Sequence, residues 1–214
     1  MVKDISGRLA QAVIVVESPH TDEVNTGIAL SGVSGRVVSR TLIRRDTPIG
    51  PLCQDGSVHL SVVNTFSQPI KFDVKGERRP DLLRDLDSLR FNGKKDDYKN
   101  EIKQMLDATP DRGLVDDYAG RLMQALGAAE GKKIVVCGMI AQAVFEWAFK
   151  VNKARFAAPF QCQIDSVSVH VFYIWHPSPN SGEDGVSAWE LPQYSWAVSA
   201  LREFIGPIRI HRHR

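Results

Sequence analysis

Ala12-Val-Ile-Val-Val16, running straight into Glu17-Ser-Pro-His20, is the stretch on which the reading of this chain turns. An unbroken run of small and β-branched apolar residues, without alternation, suits a strand buried on both faces of a parallel sheet. Pro19 stops it, because proline has no N–H for a ladder. Downstream, after a loop rich in polar residues and glycine, Val37, Val38, Leu42 and Ile43 recur at helical spacing within Ser34–Ile43. Leu60–Phe66 and Lys132–Gly138 are expected as the second and third strands. Val167–Trp175 is expected as the fourth, halted by His176-Pro-Ser-Pro179. Helical periodicity is read over Asp116–Ala129, Ala141–Phe149 and Trp196–Phe204, while the charge-dense Arg78–Asn100 is read as a solvated excursion. Strands alternating with helices predict a three-layer α/β/α domain over residues 1–214 with a mostly parallel four-stranded central sheet.

Composition narrows the function class. The 214 residues are 43% hydrophobic and 24% charged with a net charge of +2, ordinary usage for a globular protein and too mild a charge to announce a polyanion partner. The basic tail Arg209-Ile-His-Arg-His-Arg214 is a local candidate for contact with a nucleic-acid backbone. Cys53, Cys137 and Cys162 are too few and too scattered for a disulfide framework or a paired metal site, which fits a reducing, cytoplasmic setting. The first apolar run is too short for a signal segment or a spanning helix, so no membrane partner is expected.

Three of the four expected strands end in polar clusters: Glu17-Ser18-Pro19-His20, Asn64-Thr65, and His176-Pro177-Ser178-Pro179-Asn180-Ser181. In an open parallel sheet, ligands bind beyond the carboxyl ends of the strands, so these clusters are expected to converge on one cleft. The ordered set resembles the uracil-DNA glycosylase superfamily. His176-Pro-Ser-Pro-Asn-Ser181 and Val62-Val-Asn-Thr65 resemble motifs of its best-known branch. Glu17-Ser-Pro19 with Asp22-Glu23, Thr26-Gly27, Gly32 and Gly35 is similar in spacing to its iron-sulfur branch. Val135-Val-Cys-Gly138 followed by Ala141 matches the penultimate strand and helix.

What the resemblance implies is a base-excision glycosylase that hydrolyses the N-glycosidic bond of a uracil or other deaminated base flipped out of single- or double-stranded DNA. His176 would stabilise the anionic leaving base, Asn64 would read its edge, and the backbone around Ser18 and Pro19 would wall the base pocket with His20 at its mouth. Ser178, Asn180 and Ser181 would hold phosphates. Two positions depart from the pattern. Ser18 stands where the best-known branch has a water-activating Asp, leaving Ser18 to hold the water and Glu17 as the other candidate base. Leu30 replaces a stacking aromatic, a role for which Phe66 is the substitute. A cubane cluster needs four cysteine thiolates and this chain has three, so neither an iron-sulfur cluster nor any other metal or cofactor is expected. The alternatives are a catalytically weak or inactive nucleic-acid or nucleotide-binding module of the same fold, motivated by Ser18 and Leu30, and a hydrolase acting on a small nucleoside or base-modified nucleotide.

Overall fold

The computed structural model describes residues 2–7, 9–89, 93–109, 112–152 and 154–211. Five strands form one sheet: β1 (Val13–Val16), β2 (Ser61–Asn64), β3 (Lys133–Cys137), β4 (Phe160–Ile164) and β5 (Val167–Ile174). Their order is β2-β1-β3-β5-β4. The four strands expected from sequence are mutually parallel where they pair, with Val13 opposite Ser61 and Ile134, and Lys133 opposite His170. The expected count of four is corrected to five by β4, which pairs antiparallel with β5 along one edge. A two-residue turn at Asp165 and Ser166, with φ of 44° and 70°, joins them in the doubly left-handed conformation that suits a tight hairpin.

Helices cover both faces. On one lie α4 (Asp81–Ser88), α5 (Lys95–Ala108), α6 (Gly113–Ala128) and α7 (Met139–Phe149), packed on Val13, Val15, Ile134, Val136, Val171 and Tyr173. On the other lie α2 (Val33–Ile43), α3 (Ile49–Gln54) and α8 (Ser195–Ile205), packed on Ile14, Val16, Val62, Val135, Phe172 and Ile174. The strand residues divide by alternation, as the pleat demands. Burial on both sides is why β1 and β3 read as continuous apolar runs.

Two expectations about connections are corrected. The loop after β1 contains a short helix, α1 (Thr21–Thr26). The stretch Arg78–Asn100 is no solvated excursion: α4 and α5 bury Leu82, Leu83, Leu86, Tyr98, Ile102 and Leu106 beneath their charged outer faces. Residues 90–92 of that stretch lie outside the described residues. No helix among the described residues is long and apolar enough to cross a membrane.

Candidate functional site

Because β1, β3 and β5 run parallel, their carboxyl ends open on the same side of the sheet, and a cleft of two joined lobes lies there. The smaller lobe, about 360 Å³, is lined by Glu17, Ser18, Pro19, His20, Leu30, His176 and Ser178, among others. The larger, about 770 Å³, takes in Ser181, Lys95, Phe156 and Trp175. Glu17, Ile70, Lys71, Ile140, His176 and Ser178 line both lobes and so form the seam between them. The first and last polar clusters of the sequence therefore meet, as expected of clusters at the ends of neighbouring parallel strands. A separate open groove of about 580 Å³, around Lys3–Gly7 and Cys53–His59, lacks these clusters.

His176 is half-buried at the end of β5. The backbone N–H of Ser178 donates to its Nδ1 at 3.2 Å, which makes Nδ1 an acceptor and leaves the proton of the neutral ring on Nε2. Burial, with the nearby positive groups Lys71 and His20, lowers its pKa to about 4. The imidazole is thus a neutral hydrogen-bond donor at any pH above that value.

Glu17 turns into the seam. Its Oε1 accepts the backbone N–H of Ile140 at 3.3 Å, in the first turn of α7, where the helix dipole favours a carboxylate. Burial outweighs both this bond and the charge of Lys71 and pushes its pKa up to about 7. The carboxyl fits only because residue 138 is glycine. Gly138 has φ of 93°, and a Cβ built there would come within 2.2 Å of Glu17 Oε1.

The loop between the first cluster and α2 is tied by Glu23, a buried carboxylate that accepts the backbone N–H of His20 at 2.7 Å and that of Leu30. Leu30 is held at φ 52°, and its carbonyl accepts Gly50 N–H at 3.1 Å. A Cβ at Gly35 would overlap the Leu30 carbonyl at 1.8 Å, so Gly35 serves close packing within the loop. Ser18 Oγ accepts Ile70 N–H at 3.4 Å, a long bond. Ser181 Oγ donates to the Ser178 carbonyl at 2.7 Å and accepts Ala188 N–H at 3.2 Å. That hydroxyl braces the loop after His176 at the edge of the larger lobe. The side chain of Asn180 lies outside the described residues.

Two expected site residues are elsewhere. Phe66 is fully buried in the core facing α4 to α7 and lines neither lobe, so it is no substitute stacking ring. The aromatic residue lining the smaller lobe is Phe72, edge-on to His20 with ring centroids 6.4 Å apart. Asn64 is fully buried and lines neither lobe, although its register partner Val16 lines the smaller one. Neither amide atom of its side chain has a hydrogen-bond partner. Its backbone, by contrast, is fastened twice: Asn64 N–H donates to Asp4 Oδ1 at 2.9 Å, and Arg121 Nη1 donates to its carbonyl at 2.8 Å. Arg121 also pairs with Asp4 and Asp117 and reaches the Thr65 carbonyl.

Sequence reasoning also missed Ile70, Lys71 and Phe72, which a segment without regular structure carries across the cleft. Arg79 pins that segment by donating to the Ile70 carbonyl and pairing with Asp87 on α4 at 3.1 Å. Only the apolar Ile70 and Phe72 within a polar stretch could have signalled it. At the tail, Arg209 is paired with Glu130 and His211 lies against His59, while residues 212–214 lie outside the described residues. Cys137 is fully buried in β3, and burial raises its thiol pKa, so it is a core residue. No group of three or more His, Cys, Asp or Glu among the described residues is placed to hold a metal ion. No protein-family model and no curated protein matches the chain.

Proposed function

We propose that this chain is a DNA N-glycosylase, of uracil-DNA glycosylase type, acting on a flipped uracil or other deaminated base held in the smaller lobe. One observation carries the reading: a neutral imidazole with its proton on Nε2 and a carboxyl titrating near neutrality both border the seam between the lobes. That pair fits the charges of the reaction. The C1′–N bond breaks with its electron pair passing to the base, and the oxygen on which the negative charge settles accepts the Nε2–H hydrogen bond of His176. A water attacks the cationic C1′ and gives its proton to the Glu17 carboxylate. Lys71, lining both lobes, adds a positive charge beside the developing anion. Ser18, which lines the smaller lobe with its hydroxyl only weakly engaged, would hold the water in this reading.

The second reading, a binding module of the same fold, is favoured by Leu30 and Asn64. Leu30 offers no aromatic face, and the amide that would read the base is shut away from the cleft. The test is excision from labelled single- and double-stranded oligonucleotides carrying uracil, hypoxanthine or xanthine, scored by alkaline cleavage. Excision that His176→Ala abolishes establishes the glycosylase. Binding of the strands without cleavage on any substrate turns the assignment to the binding module.

A further inference from the structure

The larger lobe continues past the seam along a wall of rings. Phe156 and Trp175 line it, edge to face with centroids 4.6 Å apart. Outward from Trp175 stand Tyr194 at 4.5 Å and Trp196 at 6.3 Å. Trp196 is 56% exposed, among the largest apolar surfaces the chain leaves to solvent. Lys95 Nζ lies over the faces of Phe156 and Trp175, 4.1 Å and 5.4 Å from their centroids, so these two rings seat the ammonium and the outer ring of Trp196 is the one left to solvent. Among the described residues neither Lys95 nor Lys71 is in an ion pair. The acids of the lobe are committed, Asp87 to Arg79 and Glu17 to the first turn of α7. The lobe and its rim therefore present positive charge not held in an ion pair next to the exposed ring of Trp196, the combination that holds single-stranded nucleic acid through phosphate contacts and base stacking.

The loop after His176 bears on which strand form enters. Its large exposed apolar residue is Val186, at 40% exposure, and its short side chain is a poor wedge for the gap left by a flipped base. A strand already unstacked needs no wedge.

We propose that the larger lobe and the ring wall beside it form a track for one nucleic-acid strand, with a base beyond the reacting one stacked on the exposed ring of Trp196 and the phosphates between them met by Lys95, seated on Phe156 and Trp175, and by Lys71. The track rests on the excision reading for what fills the smaller lobe, and it makes the preferred substrate single-stranded. The probes are a short fluorescein-labelled oligothymidylate and the same strand annealed to oligoadenylate, followed by fluorescence anisotropy. The single strand is expected to bind about tenfold tighter than the duplex. Trp196→Ala and Lys95→Met should each weaken the single strand about fivefold, and Lys95→Met should lower the slope of log affinity against log salt by about 0.7. Both side chains lie at the surface, and an unchanged thermal midpoint checks that each variant is folded. Equal or tighter duplex binding, or wild-type single-strand affinity in both variants, overturns the track.

Oligothymidylate carries no excisable base, so this result is independent of catalysis. If both variants lose the strand while no base is ever excised, the track stands and the excision reading falls. If uracil is excised with KM unchanged in both variants, the track falls and the excision reading stands.

Discussion

The ends of β1 and β5 carry polar clusters that open into a cleft, whereas the end of β2 carries one that is sealed. Glu17 and His176 line both lobes. Asn64, in register with Val16 on the neighbouring strand, has no access to solvent and no partner for its amide. The difference lies in what packs on each strand end. Beyond β1 and β5 stand loops and the first turn of α7. Beyond β2 stand Asp4 and Arg121, which pair with each other and clamp the backbone N–H and carbonyl of Asn64. Position at a strand end decides which residues are brought together, and the neighbouring elements decide which of them a ligand reaches.

That contrast can be broken experimentally. The largest effect is expected from Arg121→Ala, which strips the clamp and leaves Asp4 without its cation. The Arg121 and Asp4 side chains are 20% and 12% exposed, and losing one partner of so buried a pair costs about 3–5 kcal/mol. A fall in the urea midpoint with unchanged slope reads this directly, and an unchanged midpoint means the clamp holds nothing.

At the open end, His176→Ala should lower the excision rate about 10²- to 10³-fold, the usual cost of one preorganised donor. Excision at the wild-type rate removes His176 from the mechanism.

The same pair gives opposing pH signatures. Glu17 has its pKa raised from 4.5 to about 7 in the fold, so the folded state holds a proton that the unfolded chain releases, and this contribution is lost as pH rises through that window. His176 has its pKa lowered from 6.5 to about 4, so its contribution is lost as pH falls through its own window. Each is on the order of 3 kcal/mol, and between pH 4.5 and 6.5 the two oppose each other. Relative to wild type, His176→Ala should therefore gain stability on acidification and Glu17→Gln should lose it, both followed by urea midpoints. Parallel curves for the two variants contradict the assignment of these environments.

At the sealed end, Asn64→Leu replaces a buried, unpartnered amide by an apolar side chain of similar size. A gain of about 1–2 kcal/mol in stability is expected. If the amide serves base reading, the variant should also lose discrimination among uracil, hypoxanthine and xanthine. A stability loss instead means the amide has a partner in solution. The smallest effect is expected at Ser18→Ala, below about 1 kcal/mol in stability given one bond at 3.4 Å.

Much of the architecture was legible because β1 and β3 are buried on both faces and read as nearly unbroken apolar runs, while β2 and β5 are rich in β-branched and aromatic residues and end in recognisable polar clusters. β4 was not, because Phe160-Gln-Cys-Gln-Ile164 buries one face only and alternates. In α5 the signal was present, with Tyr98, Ile102 and Leu106 four residues apart, but the surrounding charge hid it. At the site, Glu17, Ser18, His20 and His176 were found from the ends of their strands. The burial of Asn64 was not, since Asp4 and Arg121 lie far from it in sequence and nothing near Asn64 signals them. Phe66 was misplaced because its chemistry suited stacking while the chain directs it into the core facing α4 to α7. Phe72 lies in a segment with no periodicity to give it a position.

The order of strands across the sheet also fixes when the cleft can exist. The β4–β5 hairpin, closed by Asp165 and Ser166, needs only local pairing and can form as soon as it is synthesised, whereas β1 must wait for a partner far along the chain. β1 cannot meet β3 until Lys133 and its successors have been synthesised, and His176 arrives later still. On a ribosome β1, with one side unpaired, therefore waits while more than a hundred further residues are added, with neither His176 nor the α7 turn that receives Glu17. The cleft assembles only after His176 is in place, and the nascent segment carrying β1 is where protection by a chaperone would have its greatest effect.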